Sequence, residues 1–318
     1  MKFDWKEVFS AVLLTLLFPG LLLNAARMMG ADWNTDATDP PETVETTDDM
    51  GTVMIRVLLE DGSVVPMELE GYIACVVLGE MPADFELEAL KAQAVVARTY
   101  TLRMCLNAAK HPEADVCVRA DCCQSYRTGE SERVRMAVEA TAGQVLTYDG
   151  KLIEATYFSS AGGRTEDAMA VWGNDVPYLQ STDSPEEGYS QQYLETVTMT
   201  AEEFEVALGI RLEGSCETWF GEVIYTAGGG IDTMEIGGIR FKGTELRKLL
   251  GLRSTAMVMT AVGDHITITT RGFGHRVGMS QYGAEAMAVD GATYDEILAH
   301  YYRGTTLELF VDKDSGMG

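Results

Sequence analysis

One acidic residue of the chain has apolar neighbours on both sides. Glu80 follows the run Ile73-Ala74-Cys75-Val76-Val77-Leu78 after a single glycine, and it precedes Met81-Pro82. Burial beside apolar groups disfavours the charged form of a carboxyl group and so raises its pKa. A carboxyl group that keeps its proton near neutral pH can act as a general acid and then as a general base. A catalytic role is therefore open to Glu80 on the sequence alone; the alternative, that it only ends a short helix before Pro82, is open as well.

A second group of reactive side chains lies in one short segment. His111, Cys117, Cys122 and Cys123 all fall between residues 111 and 123. One imidazole and three thiolates have the number and type of donors that a structural zinc ion binds, although their spacing is not that of a zinc finger. A disulfide from Cys117 to Cys122 or Cys123 is the alternative, but it leaves His111 without a role. We predict a structural zinc site. The other cysteines are interpreted as small buried residues: Cys75, Cys105 and Cys216.

Further polar side chains could line a binding cleft. Arg98 has apolar neighbours, so its guanidinium needs an anionic or carbonyl partner such as Glu80. Tyr157, Ser159 and Ser160 lie at the end of a predicted strand, just before Gly162-Gly163. A bend there would place their hydroxyl groups at the edge of a cleft. Ser280 can cap a helix that begins at the next residue. The candidate binding residues are Arg98, Tyr157, Ser159, Ser160, His275, Gln281 and Tyr282. For each of them a structural role is the alternative, for Arg98 as a salt bridge.

Composition and missing motifs exclude several functions. The 318 residues include 24 basic and 49 acidic side chains, which gives a formal net charge of -25. Such a chain lacks the positive field that attracts polyanions, and this argues against nucleic-acid binding. The sequence also lacks the Gly-x-Ser-x-Gly pattern of serine hydrolases and the glycine spacing of nucleotide-binding loops.

The N-terminal region predicts a membrane anchor. Residues 8–26 carry no charged side chain, and about 20 apolar residues are enough for a helix to cross a bilayer. Lys2 and Lys6 favour a cytoplasmic N-terminus at residues 1–7, with the transmembrane anchor at residues 8–27. A cleaved signal peptide is the alternative. Residues 28–51 are acidic and contain no base, so we predict an extended tether that holds a domain at residues 52–318 outside the membrane.

The globular region shows strand and helix patterns without strict alternation. Asp61-Gly62 and Asp149-Gly150 each separate two β-rich runs and predict hairpins. A long helix is predicted from Phe85 to about Ala109, with Asp84 as its cap. Further strands are expected at residues 231–236, 256–262 and 265–271, and capping boxes predict helices at residues 201–208 and 294–302. These elements predict an α+β fold with a mixed sheet, hairpins and a cleft, in which the long helix follows Glu80-Met81-Pro82.

Four blocks of the sequence resemble one family. The blocks are Gly71 to Pro82, Leu87 to Tyr100, Tyr157 to Thr165 and Gly272 to Ala284. In this order, and over about residues 52–310, the chain resembles the stage II sporulation protein D family of the clostridial type, which also includes amidase enhancers. The family usually has glycine where this chain has Arg276. If that glycine has a positive φ, Arg276 carries a strain that glycine would not.

The resemblance implies a membrane-anchored lytic transglycosylase that cuts peptidoglycan strands without stem peptides during forespore engulfment. Glu80 would serve as both acid and base, because the C6 hydroxyl of the sugar attacks and closes a 1,6-anhydro ring. Arg98 would then suit the lactyl carboxylate of muramic acid. Zinc in the cysteine loop is implied as well. The implied partners are a sporulation amidase or endopeptidase and membrane proteins of the engulfment complex, in the intermembrane space. A non-catalytic wall-binding enhancer of an amidase and a glycan hydrolase are the alternatives.

Overall fold

The computed structural model describes residues 52–107, 110–185 and 193–310. The predicted cytoplasmic segment, membrane anchor and acidic tether, at residues 1–7, 8–27 and 28–51, lie outside the described residues. Within the described ranges, no helix is both long enough and apolar enough to cross a membrane.

The described residues form an α+β fold with eight α-helices and five small sheets. The helices are α1 (Leu69–Glu80), α2 (Leu87–Asn107), α3 (Glu132–Ala140), α4 (Ala168–Trp172), α5 (Ala201–Leu208), α6 (Gly243–Leu249), α7 (Gln281–Val289) and α8 (Tyr294–Tyr301). The first strands are β1 (Met54–Leu58), β2 (Val64–Glu68), β3 (Val116–Cys117), β4 (Gln144–Tyr148), β5 (Lys151–Leu152), β6 (Tyr157–Phe158) and β7 (Leu194–Thr200). The remaining strands are β8 (Phe220–Tyr225), β9 (Ile231–Ile236), β10 (Ile239–Lys242), β11 (Met257–Val262), β12 (His265–Arg271), β13 (Met279–Ser280) and β14 (Thr306–Leu309).

Helix α2 forms the centre of the first hydrophobic core. It packs against α1, α3, α7, α8 and β4, so almost every face of it is covered. Even polar residues in its middle, such as Gln93, Arg98 and Thr99, are fully buried. The long helix predicted from the apolar spacing is therefore confirmed; it begins two residues later than predicted, at Leu87, and the predicted end at Ala109 lies outside the described residues.

The helix starts are set by local and by distant caps. The predicted capping boxes are present at Thr200 with Glu203 and at Thr293 with Glu296. The prediction that Asp84 caps the long helix is wrong, because α2 begins at Leu87. The Glu86 N–H at this start donates instead to Oε2 of Glu285, on α7, at 2.7 Å. A carboxylate that is distant in sequence thus satisfies one of the unpaired N–H groups of the first turn.

The structure has five small sheets, and the predicted mixed sheet is one of them: β1 pairs antiparallel with β2 and parallel with β3. The predicted hairpins are present, since β1 pairs with β2 and β4 pairs with β5, both antiparallel. The strand after Asp149-Gly150 is shorter than expected, because it stops at Leu152. The chain then forms β6, which pairs in parallel with β13, far away in sequence. This pairing brings two separate stretches of the chain to one place in the fold.

Residues 194–271 form an inserted module with a second hydrophobic core. Its two antiparallel sheets have the strand orders β10-β9-β8 and β11-β12-β7. Buried apolar side chains from both sheets and from α5 and α6 fill the space between them, including Phe204, Trp219, Ile236, Leu246 and Ile268. The predicted strands at residues 231–236, 256–262 and 265–271 are confirmed within this module.

Candidate active site

Glu80 is the last residue of α1, where a loop from another part of the chain packs against the helix. A Cβ atom on Gly79 would lie 2.8 Å from backbone atoms of Ser125 and Tyr126, so only glycine permits this approach. The backbone N–H of Ser125 donates to Oε1 of Glu80 at 2.6 Å. The hydroxyl group of Ser125 also donates to the carbonyl oxygen of Gly79, at 3.1 Å. The end of α1 is therefore held at a fixed position on this loop.

The parallel pairing of β6 with β13 supplies two more partners of Glu80. Tyr157 lies on β6 opposite Met279, and its Oη is 3.1 Å from Oε1 of Glu80. Gln281 is the first residue of α7, and its Nε2 donates to Oε2 of Glu80 at 3.3 Å. The Ser280 hydroxyl accepts from the Gly283 N–H at 3.1 Å, which confirms the predicted cap of this helix. Glu80 is thus held by three segments that are distant in sequence.

These residues surround a cavity of about 460 Å³. It is lined by Glu80, Tyr100, Ala120, Cys123, Gln124, Thr156, Tyr157, Phe158, Ser159, Phe273, Gly274, His275 and Gln281. Among these lining residues, Glu80 is the only carboxylic acid. A volume of this size suits a small-molecule or sugar-ring ligand.

The pKa of Glu80 is raised above its ordinary value of 4.5, first because the side chain is buried. The hydrogen bonds from the Ser125 backbone, from Gln281 and from Tyr157 act in the opposite direction, since they stabilise the carboxylate. The same surroundings therefore favour the protonated acid through burial and still supply donors for the ionised form. A residue that gives up a proton and takes it back needs both the burial that favours its acid form and the donors that stabilise its carboxylate.

Tyr157 can change the direction of its hydrogen bond with Glu80. Its hydroxyl group has one hydrogen and two acceptors in reach, Oε1 of Gln124 at 2.9 Å and Oε1 of Glu80 at 3.1 Å. Gln124 is itself held by donating from Nε2 to Oγ1 of Thr101, on α2, at 2.8 Å. When Tyr157 donates to Gln124, its oxygen is free to accept from a protonated Glu80. Burial raises the pKa of Tyr157 well above its usual value, so this hydroxyl stays neutral.

His275 belongs to an aromatic wall of the cavity. Its ring lies between those of Phe158 and Trp172, with centroid distances of 5.5 and 5.4 Å. Burial, helped by the charge of Arg247, lowers the pKa of His275 to about 4, so the ring is neutral at pH 7. Its Nδ1 accepts from the Val277 N–H at 3.1 Å, which places the ring proton on Nε2.

Four of the predicted binding residues lie at this cavity. Tyr157, Ser159, His275 and Gln281 line it together with Glu80. Two of these four, Tyr157 and Gln281, contact the acid directly.

Arg98 does not lie at the cavity, and its predicted role in substrate binding is wrong. Its side chain has no exposed surface, and Nε and Nη2 donate to the two carboxylate oxygens of Glu70 at 2.8 and 2.6 Å. Nη1 donates to the carbonyl oxygen of Gln144 at 3.1 Å. The alternative of a structural salt bridge is therefore confirmed, with Glu70 instead of Glu80 as the partner.

Ser160 and Tyr282 also lie outside the cavity. Ser160 is fully buried, and its backbone N–H and carbonyl oxygen both pair with the backbone of Phe273. The ring of Tyr282 packs edge-on against Phe85, with a centroid distance of 5.2 Å. Ser160 has no exposed surface with which to bind a sugar, so that prediction is corrected. Tyr282 is partly exposed, and its binding role stays a prediction.

Gln124, Ser125 and Tyr100 are site residues that the sequence reasoning missed. Gln124 and Ser125 follow directly after Cys123, so the predicted metal loop leads straight to the partners of Glu80. That adjacency was the one signal in the sequence that could have indicated them. Tyr100 lies in the second of the four sequence blocks, two residues after Arg98.

His111, Cys117, Cys122 and Cys123 form the predicted cluster, and their ligand atoms lie within 4.8 Å of one another. Nε2 of His111 is 3.4 Å from Sγ of Cys123 and 3.5 Å from Sγ of Cys122. A tetrahedral zinc ion with bonds of about 2.3 Å to sulfur and about 2.1 Å to nitrogen gives N···S edges of about 3.6 Å. The six cysteines, all in the described residues, are free, so none forms the alternative disulfide. The donor set and its spacing therefore fit a zinc ion.

Comparisons with known proteins place the chain in a family. A family model described as "Stage II sporulation protein" matches residues 61–148. Stage II sporulation protein D of Bacillus subtilis (strain 168) is 41% identical over 261 residues, which cover 77% of this chain and 76% of that protein. Its counterpart in Bacillus amyloliquefaciens is 40% identical over 263 residues, which cover 77% and 75%. An amidase enhancer of Bacillus subtilis (strain 168) is 32% identical over 291 residues, which cover 73% of this chain and 39% of that protein.

The chain is therefore a sporulation protein, and it belongs to the stage II sporulation protein D family. The family resemblance of the four sequence blocks is confirmed, whereas the clostridial type stays a prediction.

Proposed function

We propose that this protein is a lytic transglycosylase that cleaves peptide-free glycan strands of peptidoglycan. The observation that carries the proposal is that, among the residues that the structure describes, Glu80 is the only carboxylic acid lining the cavity. Glycosidases that activate external water use two carboxylates, placed about 5 to 9.5 Å apart. A single acid suits a reaction in which the sugar supplies its own nucleophile.

In this mechanism Glu80 first donates its proton to the glycosidic oxygen as the bond to the anomeric carbon breaks. The resulting carboxylate is stabilised by the N–H groups of Ser125 and Gln281, and Tyr157 turns its hydroxyl hydrogen towards it. Glu80 then removes the proton of the C6 hydroxyl while that oxygen bonds to the anomeric carbon. The acid is regenerated, the leaving strand has gained one proton, and the new end is a 1,6-anhydro sugar.

The zinc ion would be structural in this mechanism. His111, Cys117, Cys122 and Cys123 would hold it, and it would supply rigidity to the loop that carries Gln124 and Ser125. No proton transfer depends on it.

The mass of the product end tests the mechanism. We expect the full-length protein, given peptide-free glycan strands, to leave 1,6-anhydro ends that are one water lighter than reducing ends. The physical reason is that an intramolecular hydroxyl group has an entropic advantage over a diffusing water molecule. Mass spectrometry of a digest in ¹⁸O-labelled water measures this directly. Reducing ends that carry the label would reject the transglycosylase and favour the glycan hydrolase.

The pH dependence of cleavage tests the role of Tyr157. Since Glu80 must be protonated to act as the acid, we expect the rate to fall as the pH rises through its raised pKa. Tyr157→Phe removes a hydrogen bond that lowers this pKa, so the falling limb should move to higher pH while the maximal rate drops. Tyr225→Phe, at an exposed tyrosine of the inserted module, is the matched control and should leave the profile unchanged. If the falling limb of Tyr157→Phe lay at the same pH as that of the wild type, this would contradict the hydrogen bond between Tyr157 and Glu80.

A non-catalytic enhancer of an amidase is the second candidate, and the similarity to an amidase enhancer favours it. In that case the digest would show no new ends, but an added sporulation amidase would cleave faster.

We further propose that the predicted span at residues 8–27 anchors the protein in the cell membrane. The domain would then face the intermembrane space, where peptidoglycan, amidase or endopeptidase partners and membrane proteins of the engulfment complex would meet it.

A further inference from the structure

Arg276 is a fully buried arginine in a backbone conformation that favours glycine. Its φ is +66°, and 1% of the residue is exposed. A residue with a Cβ atom is strained in this region and stays there only where the surrounding contacts hold it. The contacts of Arg276 must therefore be strong enough to offset that strain.

The guanidinium of Arg276 joins a loop of the first core to the inserted module. Nε donates to the carbonyl oxygen of Ala161 at 2.7 Å, and Nη2 donates to those of Arg164 and Gly228 at 2.8 and 2.7 Å. Nη1 lies 3.0 Å from Oε1 of Glu166, whose side chain is also 1% exposed. A planar guanidinium with five donors can satisfy such a set of acceptors, which a lysine ammonium group cannot.

A glycine-rich turn of the inserted module, residues 226–230, closes on this ion pair. Oε1 of Glu166 also accepts from the Gly230 N–H at 3.0 Å and from the Thr226 hydroxyl at 2.8 Å. A Cβ atom on Gly230 would lie 2.3 Å from Oε1 of Glu166 and 3.0 Å from Nη1 of Arg276. Glycine at this position is therefore required for the turn to reach the buried pair.

The backbone of Arg276 helps to set the orientation of His275, which also has a backbone hydrogen bond with Tyr157. The hydrogen bond from the Val277 N–H to Nδ1 of His275 encloses Arg276, so it depends on the left-handed turn at that residue. The carbonyl oxygen of Arg276 accepts from the Glu166 N–H at 2.6 Å, which fixes the same turn from the other side. His275 is part of the aromatic wall of the cavity that contains Glu80.

We propose that Arg276 is a positioning residue: through Glu166 and the turn at residues 226–230, it locks the His275 wall of the cavity against the inserted module. It does not touch the reacting atoms, so its loss should weaken glycan binding more than it slows the chemical step at Glu80. The effect on glycan rests on the proposed function, whereas the effect on His275 does not.

The test uses the full-length protein with Arg276→Gly, which keeps a residue that tolerates the left-handed turn but removes the guanidinium. Since this variant leaves the carboxylate of Glu166 buried without its cation, the double variant with Glu166→Gln is measured beside it. Arg240→Gly is the matched control, because it breaks an exposed arginine–glutamate pair within the inserted module, away from Arg276 and Glu166. The chain has only four histidines, so ¹⁵N labelling of histidine gives a ring spectrum in which His275 can be assigned.

In wild type we expect His275 to show one neutral tautomer with the proton on Nε2. In Arg276→Gly and the double variant this signal should change to an average of both tautomers, and KM for glycan should rise about ten-fold with a smaller change in kcat. Arg276→Lys should resemble Arg276→Gly, because the fork of donors is lost. A wild-type His275 signal in the folded double variant would overturn the proposal. If the tautomer of His275 changes in the variants but neither they nor the wild type cleave glycan, the positioning role stands and the proposed function fails. A tautomer change with unchanged KM would overturn the link to substrate binding.

Discussion

Replacing Glu80 by glutamine should lower kcat/KM for glycan cleavage at least a thousand-fold, about the contribution of a well-placed general acid and base. Glutamine keeps the size of the side chain, and its Oε1 can still accept from the Ser125 N–H, which lies 2.6 Å from the carboxylate in the wild type. It cannot donate a proton to the leaving oxygen or remove one from the C6 hydroxyl. Both steps of the proposed mechanism are therefore lost together.

The same variant should be at least as stable as the wild type at neutral pH. The pKa of Glu80 is raised in the folded state by burial, so ionisation of this group opposes folding. The protonated carboxyl group of Glu80 therefore contributes stability that is fully present at a pH below the ordinary carboxyl pKa. This contribution is lost as the pH rises through the raised pKa that Glu80 has in the folded state. A glutamine does not ionise. The difference in Tm between the variant and the wild type should thus be larger at pH 7 than at pH 4, which differential scanning calorimetry can measure.

Glu86→Gln is the control for this substitution. Glu86 lies near Glu80 in sequence, but its side chain is half exposed in a pair with Arg133, outside the cavity. We expect it to cleave at the wild-type rate. Near wild-type cleavage by Glu80→Gln would show that another group is the acid. A Glu80→Gln protein that unfolds at lower temperature than the wild type at pH 7 would show that the carboxylate is structural.

The sequence predicted elements whose pattern is local and missed elements whose pattern is hidden by burial. Capping boxes such as Thr200 with Glu203 involve neighbouring residues, so the start of α5 could be read directly. Helix α1 entered only as the short helix of the alternative for Glu80 and was not placed among the predicted elements, because Ile73, Val76 and Val77 are β-branched and its apolar residues show no clear helical period. A helix that is covered on most sides leaves no polar stripe from which its period can be recognised.

The contacts of the site could be predicted only in part, for a similar reason. The apolar setting of Glu80 is visible in the sequence, and the direction of its pKa shift follows from it. The partner of Arg98 is not visible, because Glu70 reaches it through the packing of α1 on α2. The hydrogen bond from Gln281 to Glu80 likewise depends on the pairing of two-residue strands, which no sequence period reveals.

Loss of the metal cluster should have the largest effect on stability. Cys117→Ser or Cys122→Ser removes one of the four ligands of the predicted zinc ion, and we expect the purified full-length variant to have lost the single metal ion per chain. A ligand present at about a thousand times its Kd stabilises the folded state by about 4.1 kcal/mol. At about 2 to 4 °C per kcal/mol, its loss should lower Tm by about 8 to 16 °C.

Metal content by mass spectrometry and Tm by calorimetry check this expectation, before and after a chelator is added. Cys216→Ser is the matched control, because Cys216 is a buried free cysteine of the inserted module and lies outside the cluster. It should keep the metal, and the chelator should lower its Tm as much as that of the wild type. Cleavage should fall together with metal content, since the loop that ends at Cys123 leads directly to Gln124 and Ser125, which hold Tyr157 and Glu80. Freshly purified wild type that contains a disulfide and no metal would reject the zinc site. If a chelator removed the metal but left both Tm and cleavage unchanged, the loop that carries Gln124 and Ser125 would position Glu80 without a metal ion.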